Sequence, residues 1–80
     1  MEDQDVLDRI NELAAEEHEL FERAAEGGLD PAGRERLDWL SVALDQAWDL
    51  LHQRRARRRA GMDPDEATER APDTVEGYVD

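Results

Sequence analysis

Cysteine and lysine are both missing from this 80-residue chain. Without cysteine there is no disulfide, no thiolate-bound metal and no thiol nucleophile. Without lysine all ten basic side chains are arginine, a planar guanidinium suited to bidentate pairing with carboxylate or phosphate. Serine occurs once, as Ser41, with no histidine expected near it, and Gly27-Gly28 is placed to serve a turn rather than to cradle phosphate. No apolar run approaches the roughly 18 residues of a membrane span. The start, MEDQDVLDRI, lacks the basic and apolar segments of a signal peptide. These absences lead to the expectation of a soluble, cytoplasmic protein without membrane association, and not an enzyme. No catalytic, cofactor-binding or metal-ligating set is expected.

Size sets a second bound. A chain of this length buries only about 60% of its unfolded surface, which leaves a monomer marginal. Small domains without covalent or metal staples often oligomerise, so a homodimer is expected.

Charge is abundant and uneven. Residues 1–50 carry fifteen acids against four arginines, residues 51–60 five arginines and no acid, and residues 61–80 seven acids against one arginine. The segment charges of −11, +5 and −6 give the net −12. A nucleic-acid binder usually shows a broad basic face. Here the basic patch is short and flanked by acid, which makes nucleic acid an unfavoured partner.

Apolar spacing supplies the architecture. Leu37, Leu40, Leu44, Ala47 and Leu51 recur at intervals of 3 and 4, one side chain per turn of a single helix face. Val6, Ile10, Leu13, Leu20 and Ala24 form a matching seam, with Leu7, Ala14 and Phe21 beside it. Between the two seams, Gly27-Gly28 ends one helix and Asp30-Pro31 starts the next as N-cap and first residue. The expected fold is all-α: an antiparallel, coiled-coil-like two-helix hairpin over residues 1–62, with helices at about 3–26 and 31–60. A short helix from Pro64 to Arg70, ended by Pro72, and an acidic tail occupy 63–80. Facing residues should have numbers summing to about 58, which sets Phe21 against Leu37, Leu13 against Leu44 and Val6 against Leu51. Glu17 then falls within the seam, either bonded to a donor or turned to its edge.

Two surfaces stand out. Trp39, Val42, Ala43 and Leu50 lie on a face of the second helix that a two-helix hairpin leaves uncovered, and an uncovered apolar face rimmed by charge marks an interface. They are the expected self-association residues, two hairpins making a four-helix bundle. Arg54, Arg55, Arg57, Arg58 and Arg59 are the candidate partner-binding residues, for an acidic protein patch or, alternatively, for phosphate in nucleic acid or a nucleotide. Arg54 and Arg55 also lie opposite Glu2, Asp3 and Asp5, so internal compensation competes, whereas Arg57 to Arg59 project past the first helix. His18 and His52 lack the paired Glu-x-x-His pattern of a bundle metal site.

The block LDQAWDLLHQRRARRRAG at Leu44–Gly61, followed by Met62-Asp63-Pro64-Asp65-Glu66-Ala67, resembles a family of small actinobacterial proteins, domain of unknown function 2630. The Glu16-Glu17-His18 step and the Val75-Glu76-Gly77-Tyr78 tail extend the likeness to nearly the full length. The resemblance implies fold and a bacterial cytoplasmic origin, and no activity.

Overall fold

The computed structural model describes residues 1–77, and among these it is all-helical. Helix α1 spans Asp3–Ala25 and α2 spans Pro31–Arg59; a single 3₁₀ turn, Pro64–Glu66, and a short helix α3, Pro72–Glu76, follow. Tyr78 and Val79, assigned from sequence to the tail, lie outside the described residues.

Local chemistry explains each boundary. The Glu2 amide donates to the Asp5 carboxylate at 2.8 Å and so satisfies one of the free donors at the start of α1. At its far end Gly27 adopts φ +76°, which lets the Gly28 amide reach back to the Arg23 carbonyl at 2.9 Å. Asp30 accepts from the Gly33 amide at 2.8 Å, with Pro31 at the first helical position. The closure at the end of α2 repeats that of α1: Gly61 has φ +74° and the Met62 amide donates to the Arg57 carbonyl at 2.8 Å.

The long helices pack against each other around two apolar clusters. Val6, Ile10, Ala47, Leu50 and Leu51 form the cluster near the chain's N-terminus. Leu13, Leu20, Leu40 and Ala43 form the one toward the turn, and Leu44 packs against both. The 3–4 spacing therefore marks the seam of α2.

Phe21 does not face Leu37 as its number suggests; it is 52% exposed, and Leu20 takes the buried place. One residue on a helix is about 100° of rotation, so Phe21 falls outside a seam running through Val6, Ile10, Leu13 and Leu20. Glu17 is half-buried and its carboxylate makes no hydrogen bond among the described residues, in keeping with a side chain turned to the seam's edge.

The C-terminal segment departs further from expectation. Only the turn at Pro64–Glu66 is helical in the stretch expected to run to Arg70, and Pro72 begins a helix instead of ending one. Between them the backbone is used to grip α2. The Thr68 carbonyl accepts from Gln53 Nε2 and the Arg70 carbonyl from Gln46 Nε2, both at 3.0 Å. Proline has no amide to lose and carries the right φ for a first helical position, so α3 restarts there and buries Val75. Residues 64–76 thus form a strap along α2.

Candidate interaction surface

The strap changes which face of the hairpin is open. Ala43 and Leu50, expected to await a second copy, are buried within their own chain, and Val42 is half-buried. Leu50 belongs to a cluster against which Ala67 of the strap packs. Of the four expected association residues, only Trp39 is largely accessible, at 48%, with the Arg36 guanidinium 4.4 Å from its ring centre. Arg36 in turn holds Glu16 on α1 through Nη2 to Oε1 at 2.8 Å. Ala43 is buried by Leu13 and Leu20 of α1 and Leu50 by Val6 and Ile10 of α1 together with Ala67 of the strap, so the hairpin and the strap themselves cover most of the face expected to be open.

The strap is anchored by ions as well as amides. Arg70 Nη2 meets Asp49 Oδ1 at 2.6 Å and Arg70 Nε meets Oδ2 at 2.9 Å, a fork-to-fork pair. Gln53 donates to the same carboxylate at 2.9 Å. Both contacts hold the Asp49 carboxyl below the usual range, Arg70 being the larger cause.

The arginine run divides sharply. Arg54 is only 2% exposed, buried between the start of α1 and the 3₁₀ turn at Pro64–Glu66. Its Nε donates to Asp3 at 2.8 Å, Nη1 to Asp65 at 2.9 Å and to the Pro64 carbonyl at 3.2 Å, and Nη2 to the Met1 carbonyl at 2.6 Å. With every nitrogen engaged, Arg54 is a structural tie and is removed from the partner-binding set. Arg58 was expected to lie beyond α1, yet it holds Asp3 through two hydrogen bonds of 2.8 and 3.0 Å. Arg57 stands 3.5 Å from Glu66 of the 3₁₀ turn. Arg55 and Arg59 are exposed and have no ion pair among the described residues.

Arg58 and then Arg54 hold the Asp3 carboxyl far below the carboxylate range; Arg54 does the same, less strongly, for Asp65, and Arg36 for Glu16. A carboxyl depressed in the folded state gives stability that is complete above its unfolded pKa and is lost as pH falls toward the folded value. The ordinary values are 3.8 for aspartate and 4.5 for glutamate. The urea midpoint is therefore expected to fall once pH drops below about 4, and Asp3→Asn should make that acid limb shallower. Equal acid limbs in the two proteins would show that the tie does not titrate with folding.

Opposite the strap, the hairpin keeps apolar groups at its surface. Trp48 is 41% exposed, its ring tilted against His52 with centres 6.0 Å apart. Phe21 is open, and Leu7, Leu37 and Leu44 are only partly covered. An open depression of about 440 Å³ beside the turn is lined by Ala24, Gly27, Leu29, Arg34, Leu37 and Asp38. His18 reaches Glu22 at 3.1 Å, and among the described residues no three His, Asp or Glu side chains gather as metal ligands would. No helix among them is long and apolar enough to cross a membrane.

The chain belongs to the family described as protein of unknown function (DUF2630), whose model matches residues 2–80. It is 44% identical over 78 residues to uncharacterised proteins of Mycobacterium bovis and of two Mycobacterium tuberculosis strains, covering 96% of this chain and 90% of each relative. No solved structure matches it.

Proposed function

We propose that this member of the DUF2630 family is a non-enzymatic helical-hairpin interaction module that self-associates and regulates by contact rather than by chemistry. The observation that carries this reading is the side of the hairpin opposite the strap. There Phe21 and Trp48 are about half exposed, and Leu7, Leu37 and Leu44 beside them are only partly covered. Large aromatic side chains held open on rigid helices are the usual anchors of an interface. The ionic groups point the same way. Within the Arg54–Arg59 cluster, Arg54 and Arg58 are spent on Asp3 and Asp65 and Arg57 stands near Glu66, which leaves Arg55 and Arg59 to meet an acidic protein partner in a cytoplasmic setting.

The competing reading, a phosphate-directed binder of nucleic acid or a nucleotide, rests on the same two exposed arginines. Two guanidinium groups on a chain of net charge −12 make a weak phosphate site, since non-specific nucleic-acid affinity scales with the number of phosphates neutralised.

Sedimentation of the full chain is expected to give twice its 9.2 kDa mass. A single-chain mass from micromolar to millimolar concentration would contradict self-association. Binding to a mixed-sequence oligonucleotide that weakens steeply with salt would favour the phosphate reading instead.

A further inference from the structure

We infer that the side of the hairpin bearing Leu7, Ala14 and Phe21 on α1 and Leu37, Leu44 and Trp48 on α2 is the docking surface for a second copy of this chain. The inference rests on self-association and assigns the face that performs it, a different one from the Trp39 side.

The spacing comes first. Leu7, Ala14 and Phe21 are separated by seven residues each, as are Leu37, Leu44 and Leu51. A column repeating every seven is the mark of a helix-helix seam. The column on α2 already serves the hairpin, with Leu51 fully buried and Leu44 packed against both clusters. The column on α1 has no such partner: Phe21 and Ala14 are exposed and Leu7 is only partly covered. Trp48 stands one heptad after Ser41 and one before Arg55, which forms the corresponding outer column on α2.

The strap cannot cover this side. Its contacts reach Gln46, Asp49, Gln53 and Arg54. On a helical wheel with Leu40 as origin, these residues fall near −120°, 180°, −140° and −40°, while Ser41, Trp48 and Arg55 fall at about 100°, 80° and 60°. The strap therefore occupies the opposite flank of α2.

Size and charge select a second copy as the occupant. Two helices side by side, about 20 Å across, over the length of α1, about 35 Å, present roughly 700 Å². That is close to the ~800 Å² per partner of a stable interface. With a two-fold axis running along the hairpin, α1 of each copy lies antiparallel to α2 of the other at the same level. Each Trp48 then falls between the partner's Leu7 and Ala14 levels, each Phe21 falls at the level of the partner's Leu37, and the small Ser41 lies between the levels of the partner's Ala14 and Phe21. Arg55, without an ion pair among the described residues, comes to the level of the start of the partner's α1, which opens with the exposed acid Glu2. The result is a four-helix bundle with the two straps on its outer faces.

The test compares three proteins by sedimentation equilibrium, with circular dichroism to check helix content. The parent chain should have a mass of two chains. Phe21→Glu/Trp48→Glu, at exposed positions, should keep its helix content and raise the dissociation constant by about a hundredfold or more. Trp39→Glu should leave the mass unchanged. A dimer that survives the double substitution, or one that Trp39→Glu dissociates, overturns this face while leaving self-association intact. A parent chain that stays single up to millimolar concentration overturns both.

Discussion

Arg54→Ala is expected to cost about 2–3 kcal/mol of folding stability, read as a lower urea midpoint by circular dichroism. Removing one member of a buried charge pair costs about 3–5 kcal/mol when the other charge is left buried and unpaired. The smaller figure applies here because the partners are not equally enclosed: the Asp65 side chain is 59% exposed and that of Asp3 24%, so both carboxylates regain water. The Met1 and Pro64 carbonyls also lose their donor, each a fraction of the usual penalty for an unmet polar group. Total stability for a chain of this length is about 4–12 kcal/mol, so the loss is a large share. Arg54→Lys keeps the charge but replaces five donors in a fixed fork by three on a point charge, and it should recover only part of the midpoint. Because Arg54 joins the start of α1 to the strap, limited trypsin digestion should cut the Ala variant sooner after Arg57 to Arg59. An Ala variant as stable as the parent would mean that the buried guanidinium holds nothing together.

Much of this molecule can be read from residue order because its boundaries depend on neighbours. Asp30-Pro31 and Gly27 act within one turn of chain, and each begins or ends a helix where expected, as Gly61 does at the close of α2. The seam of α2 is equally legible, since Leu40, Ala47 and Leu51 repeat at a spacing that only one helix face satisfies. The strap is less so. It is held by Gln46, Asp49 and Gln53, whose 3–4 spacing marks one face of α2 but whose polar side chains read as a solvated face, and their partners are two backbone carbonyls and Arg70. Arg54 differs from Arg55 only in rotation about the helix axis, yet one is buried and the other exposed. Nothing in a run of five arginines marks which of them will close a charge network between residues 1 and 65. The exposed column on α1 did carry a signal, since the seven-residue spacing of Leu7, Ala14 and Phe21 is visible in the chain. Its meaning depends on the strap being elsewhere.

Leu51→Ala is expected to be the most damaging apolar substitution, at about 3–4 kcal/mol, with a fall in Tm of about 15 °C or more. Leu51 is fully buried and belongs to the cluster formed with Val6, Ile10, Ala47 and Leu50. Two features prevent that cluster from collapsing into the space left behind. Ala47 is already small and cannot reach across. On the next turn the side chain of Arg54 is pinned to Asp3 and Asp65, so the backbones of α1 and α2 are held apart at this level. A cavity that cannot relax costs both the transfer energy of the lost methyl groups and the contacts of its lining. Leu40→Ala removes an equally buried side chain, but its cluster lies nearer the turn, away from the Arg54 ties, so the helix backbones and the partly covered Leu29 and Leu37 can shift inward. It should cost less, about 2–3 kcal/mol. The order Leu51 above Leu40, measured by thermal unfolding at one protein concentration, checks whether the Arg54 network acts as a spacer for the core. The reverse order would place the rigid end of the hairpin at Gly27-Gly28. With Arg54→Ala added, the network no longer fixes the separation and Leu51→Ala should cost less than it does alone. The double variant is then more stable than the sum of the two single losses implies, and strict additivity would show that tie and core act independently.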